Sequence, residues 1–311
     1  MKENQLSRWG ALSKFLPLMN PTAKVFLVAK TSLTYRGELD YEFPPDRDGV
    51  VRVVSTIAAA RDLTQANRGD VVLVLPGHTE TLTTTLSLST AGVKYIGIGD
   101  GTLTPTLTVN AAIIGVGLNG ANCEFNNFRI DPPGASGDDA LAMIKCAAAG
   151  LTLKNITGIG SSNVLNFVDC ISIKAGCDDM IWDNINLSSG QLAVTNFIHI
   201  EGTISRFTAG YVTCIGTVAT AGITDDSTAF MFNTNWHNFY IAVRGAAGKP
   251  AATIDAASSD GIVRDSFFSG THTTLASNGS FGAKWRLNQV WLLEETDNTA
   301  QGALIPAVDA N

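Results

Sequence analysis

Charged residues are scarce. They make up 16% of the 311-residue chain, against about 25% in ordinary soluble domains. Those present sum to a net charge of −7 and form no Lys/Arg cluster. The surface therefore lacks the positive field that a phosphate backbone requires, and nucleic acid is not expected as a partner. No apolar run reaches the roughly 18 residues of a bilayer span, so no membrane partner is expected. No Cys-x-x-Cys pair occurs among the five cysteines, Cys123, Cys146, Cys170, Cys177 and Cys214. An odd number without ligand spacing favours free, buried thiols over disulfides or a metal site, and suits a chain made in a reducing cytoplasm. The first twenty residues are interrupted by Arg8 and Lys14 and lead to no small-residue cleavage site, so they do not read as a signal peptide.

What the chain does have is apolar and turn-forming residues, at 45% apolar with 30 glycines. One short pattern recurs: apolar, any, apolar, any, a small or polar slot, apolar. Leu151-Thr152-Leu153-Lys154-Asn155-Ile156 is the clearest copy, and Cys123 to Phe128 and Met180 to Ile185 repeat it. The slots fall at Gly97, Asn127, Asn155, Asn184, Tyr211, Asn238, Ser266 and Gln289, at intervals of 30, 28, 29, 27, 27, 28 and 23 residues. The copy ending at Phe267 is the poorest, because it puts Arg264 at an apolar position.

Alternation places the first and third residues of each copy on one face of a strand. The slot then bends the chain so that the next apolar residue points inward again. Asn tolerates the left-handed backbone such a bend needs, and Gly tolerates it better. About 27 residues suit three short strands and their turns but not a strand, a crossover helix and two loops. Each coil can bury its inner face only against its neighbours, at about 4.8 Å per rung. The spacing therefore predicts an all-β fold, a right-handed parallel β-helix of about 8–10 rungs over residues 71–293. The Asn column is expected to be structural, its amides hydrogen-bonding along the axis. Trp182, Trp236 and Trp285 are expected in the core, and Trp291 at the surface.

The ends depart from the repeat. Residues 1–47 read as an N-terminal arm in which Leu6, Trp9, Leu12 and Phe15 recur every three residues, an amphipathic docking helix that Pro17 terminates. Val25-Phe26-Leu27-Val28 could be a strand. Residues 48–70 read as a linker and a helix near 55–66, capped by Ser55 or Thr56 and covering the open end of the first rung. Residues 294–311 read as an extended tail.

Two stretches carry a resemblance. Ser55-Thr56-Ile57-Ala58-Ala59-Ala60, then Arg68-Gly69-Asp70-Val71-Val72-Leu73-Val74-Leu75-Pro76-Gly77-His78-Thr79-Glu80, resembles the opening of pectin-lyase-like β-helix proteins. The resemblance implies the fold and leaves activity open, because this fold carries enzymes and inert virion proteins alike. Val25-Phe26-Leu27-Val28-Ala29-Lys30 and the 41–48 linker, running directly into that signature, are similar to β-helix proteins of tailed-phage virions. This second resemblance implies a capsid decoration or fibre subunit, often a homotrimer, with the major capsid protein or another virion protein as partner.

Enzymes of this fold that hydrolyse acidic polysaccharides resemble polygalacturonases. Those carry paired Asp residues, a Gly-His-Gly and an Arg-x-Lys, since two carboxylates must flank one glycosidic bond. The last two elements are absent here. If the chain is an enzyme, the candidates are the doublets Asp138-Asp139, Asp178-Asp179 and Asp225-Asp226. Counted from the slots they occupy different coil positions about two rungs apart, roughly 10 Å along the axis, which argues against a shared site. His199, in the alternating stretch Phe197-Ile198-His199-Ile200, reads as a satisfied or solvent-facing strand residue. No metal or cofactor is expected. The expectation is a non-enzymatic virion protein anchored through its N-terminal segment. The alternatives are a tailspike-like polysaccharide hydrolase or lyase and a non-catalytic adhesin for host surface carbohydrate.

Overall fold

The computed structural model describes residues 22–132, 140–159, 167–189, 193–245, 247–254, 259–272 and 278–294, and the backbone of 301–305. The chain forms a parallel β-solenoid. Among the described residues eleven parallel strands stack in register along its first face, from Val53–Val54, outside Val25–Val28, to Lys284–Glu294. Eight stack along the second, from Leu86–Leu88 to Gly279–Phe281. The short strands Ile204–Ser205 and Met231–Phe232 pair on a third side.

The repeat explains the rungs. Leu151, Leu153 and Ile156 are fully buried, and Asn155 between them has φ 52°. Asn127, Asn184, Tyr211, Asn238 and Gln289 adopt the same left-handed bend. The column lies on the outer side of the bend, where Asn184 donates to Asn155 Oδ1 at 2.8 Å and Asn155 donates to Asn126 Oδ1 at 3.0 Å. The lumen is filled by the apolar residues. Trp182, Trp236 and Trp285 are buried there, with Phe207 set edge-on to both Trp182 and Trp236.

Two slots differ from the sequence reading. At the seventh the bend is Asp265, with φ 52°, not Ser266. Gly261 pairs with Trp285 and Ser266 with Val290, so the inward residues are Gly261, Val263 and Ser266. Gly261 has no side chain to announce its inward position; a Cβ there would lie 2.6 Å from the Trp285 ring. Ser266 satisfies its buried hydroxyl by donating to Arg264 O and accepting from the Phe239 N–H. Gly97 likewise serves close approach rather than a left-handed bend. A Cβ there would meet Asn127 O at 2.0 Å, and Asn127 Nδ2 donates to the carbonyls of Gly97 and Gly99.

The stack does not begin at Val71. Val25–Val28 pairs along its whole length with Val71–Val74 and also with Val53–Val54, so this part of the expected arm belongs to the body. The capping helix is Ile57–Leu63. The Thr56 side chain accepts from the Ala59 N–H, and Ile57 and Ala60 are buried over the lumen. Buried Asp70 fastens this end, accepting from the N–H groups of Lys24 and Gln65 and from the Arg68 guanidinium. At the other end Gln301–Ile305 pairs antiparallel with residues 290–294. All five cysteines are free and buried.

Candidate functional site

The expected site residues scatter. Leu6, Trp9, Leu12, Phe15, Asp138 and Asp139 lie outside the described residues. Asp178 accepts from Ser205 Oγ at 2.7 Å. Asp179 takes a left-handed bend and pairs with the Arg206 guanidinium through both oxygens. That ion pair holds the Asp179 carboxyl below its usual range and pushes Arg206 up. Asp225 ends the strand Thr208–Asp225 beside Ile200. Asp226, next in the chain, reaches His199 Nε2 at 2.9 Å. Among the described residues, the doublets Asp178-Asp179 and Asp225-Asp226 do not meet one another.

His199 is instead the centre of a cluster on the outer face of the second sheet. Inward-facing Ile171, Ile198 and Ile223 are in register, as are Ile173 and Ile200. Alternation then turns Ser172, His199 and Thr224, the intervening register partners, outward. His199 Nδ1 lies 3.0 Å from Asp169 Oδ2, one rung back. The other Asp169 oxygen accepts from Asn196 Nδ2 at 2.9 Å, and Asn196 Oδ1 accepts from the Ala221 N–H. Glu201, two residues past His199, accepts from Ser172 Oγ and pairs with Lys174. Ligand-type atoms of Asp169, His199 and Glu201 all lie within 4.8 Å of one another.

The cluster is partly shielded: the Asp169 side chain is 11% exposed and that of His199 22%. Asp169 raises the His199 pKa above its ordinary value, with help from Asp226 and against the opposing effect of burial. Burial, with repulsion from Lys145, lowers that of Lys174. The arrangement can hold a proton or a cation between carboxylates. Asp169 and Asp226 stand out in the sequence only when ionisable residues are placed on the rung period that contains His199. Asp169, His199 and Asp226 are then 30 and 27 residues apart.

A second surface lies on the C-terminal rungs. A groove of about 530 Å³ is lined by Asn233, Asn235, Asp260, Arg264, Lys284 and Arg286, among others. Beyond the bend, Tyr240, Phe267 and Trp291 are register partners on three successive rungs. Their side chains face outward: the Tyr240 and Phe267 rings stack at 4.9 Å, and Trp291 is 46% exposed, as its position suggested. No family model matches the chain, and no curated protein or solved structure matches it either; the parallel solenoid is compatible with the β-helix fold that the opening motif implies.

Proposed function

We propose that the chain is a non-catalytic structural protein of a tailed-phage virion, a stiff rod that decorates or stabilises the capsid. The observation that carries this reading is the use made of the carboxylates. Asp178 binds Ser205, Asp179 binds Arg206 and Asp226 binds His199, each tying its rung to a residue 27 positions away. Side chains used this way serve the length of the rod, and no described Asp doublet faces another as a cleavage site would need. The likeness of residues 25–30 and 41–48 to tailed-phage proteins adds support. The partners in this reading are the major capsid protein or another virion protein, and other copies of the chain in a homotrimer. Docking falls to Leu6, Trp9, Leu12 and Phe15. Removing residues 1–21 is expected to abolish attachment to particles while the far-ultraviolet spectrum stays that of the intact rod. Retained attachment would refute the docking role, and a density map of the intact particle would place the subunit directly.

The C-terminal surface favours a second reading, a non-catalytic adhesin for host surface carbohydrate. Outward-facing rings on successive rungs can stack on sugar faces, and cations on the same strands can hold acidic groups. The carboxylates around His199 keep a polysaccharide-cleaving enzyme as a third. Release of reducing ends or unsaturated products from capsular and pectic polysaccharides separates the three. Binding without release favours the adhesin, and release that Asp226→Asn abolishes favours the enzyme.

A further inference from the structure

We propose that Asp169, His199 and Glu201 form a binding site for one divalent transition ion of the zinc class, joining two successive rungs on the outer face of the second sheet. Nothing in this inference rests on the virion reading. Three kinds of observation carry it.

The first is convergence. A metal held by one imidazole nitrogen and carboxylate oxygens at about 2.0–2.2 Å keeps its ligand atoms roughly 3.3 Å apart. Asp169 Oδ2 and His199 Nδ1 are 3.0 Å apart, and a Glu201 oxygen lies within 4.8 Å of both groups' ligand atoms. Closing that gap requires the Glu201 carboxylate to rotate away from both Lys174 and Ser172. The Lys174 side chain is 37% exposed, so its ammonium can move into solvent.

The second is orientation from behind. Metal-bound imidazoles characteristically donate their other ring N–H to a carboxylate, which fixes the tautomer and aims the free nitrogen. Asp226 Oδ1 stands 2.9 Å from His199 Nε2 and is placed to accept that proton, leaving Nδ1 to the ion. Asp169 is oriented in the same way. Asn196, itself buried, holds one carboxylate oxygen, and its own carbonyl is fixed by the Ala221 N–H. Only the second Asp169 oxygen is turned toward His199.

The third is ligand chemistry and charge. One nitrogen and two carboxylates suit zinc, cobalt, nickel or manganese better than the all-oxygen shells of calcium and magnesium. Three carboxylates, Asp169, Glu201 and Asp226, outnumber the two nearby ammonium groups, Lys174 and Lys145. Three protein ligands leave a fourth position for water, so a structural tie between rungs is the minimum role.

The full chain, freed of metal by a chelator, is titrated with zinc chloride against a chromophoric indicator. One zinc per chain at micromolar concentration is expected, with a rise in melting temperature. Asp226→Asn is expected to weaken binding about 10–100-fold, the usual effect of losing an orienting partner. Glu201→Gln, which leaves Asp169, His199 and Asp226 in place, is expected to weaken it at least as much. His199→Gln is expected to abolish binding, and His237→Ala, away from the cluster, to leave it unchanged. Absence of binding at micromolar zinc overturns the proposal, as does unchanged affinity in a folded His199→Gln protein. Should that variant not fold, unchanged affinity in Glu201→Gln overturns it equally.

Discussion

At the outer bend of the first sheet, seven residues on successive rungs, from Asn127 to Gln289, hold φ between 52° and 63°. The left-handed region costs an ordinary L-residue about 1–2 kcal/mol, and Asn bears it best among residues with a Cβ. Tyr211 occupies this position with no local hydrogen-bonding group, its ring exposed and edge-on to His237. Tyr211→Asn is therefore expected to stabilise the rod by about 1 kcal/mol and Asn184→Ala to destabilise it by about the same. Both would read as shifts in urea midpoint at unchanged slope. His199 gives a different signature. Because Asp169 and Asp226 raise its pKa, the folded metal-free chain holds the imidazolium proton more tightly than the unfolded chain does. That stabilisation is complete below the unfolded pKa of about 6.5 and is lost as pH rises through the higher folded value. Melting temperature should fall across that interval, and His199→Gln should remove the fall. A wild-type profile without it would show that the carboxylates do not hold the proton.

At the level of elements, the rungs were legible wherever side chains of contrasting polarity alternate, as in Leu151, Leu153 and Ile156. Legibility failed where an inward position carries little apolar matter. Gly261 is filled from the next rung by Trp285, and Ser266 hides its hydroxyl in local bonds, so the side-chain pattern alone puts the seventh bend one residue late. Gly261→Ala should consequently push the Trp285 ring from its place and destabilise the C-terminal rungs by about 1–3 kcal/mol, the usual cost of overpacking. Urea unfolding would register it, and a neutral result would show that the indole can move. The first strand, Val25–Val28, was visible as a strand. Its membership in the stack was not, because its partner Val71–Val74 lies 46 residues on, outside the repeat period. The His199 cluster stayed hidden for a related reason. Its members come from three rungs, and each looks like an ordinary strand or turn residue until the register aligns them.

A whole solenoid has two ends, and each exposes a strand edge that invites another chain. The N-terminal end is closed by the Ile57–Leu63 helix over the lumen and by the bonds to Asp70. At the C-terminal end the last strand of the first face, Lys284–Glu294, divides in two. Residues 290–294 are paired by Gln301–Ile305, while the half before them carries the exposed cations Lys284 and Arg286. Pairing protects one half and like charge the other, since two such edges brought together would oppose cations. Removing residues 295–311 should uncover the paired half, where Val290 and Leu292 point into the core and Trp291 faces out. The truncated protein is expected to self-associate in a concentration-dependent way that light scattering can follow. Adding Trp291→Lys, which charges the uncovered half as the other half already is, should restore the behaviour of the full chain. Unchanged mass on truncation would show that the charged half of the edge suffices alone.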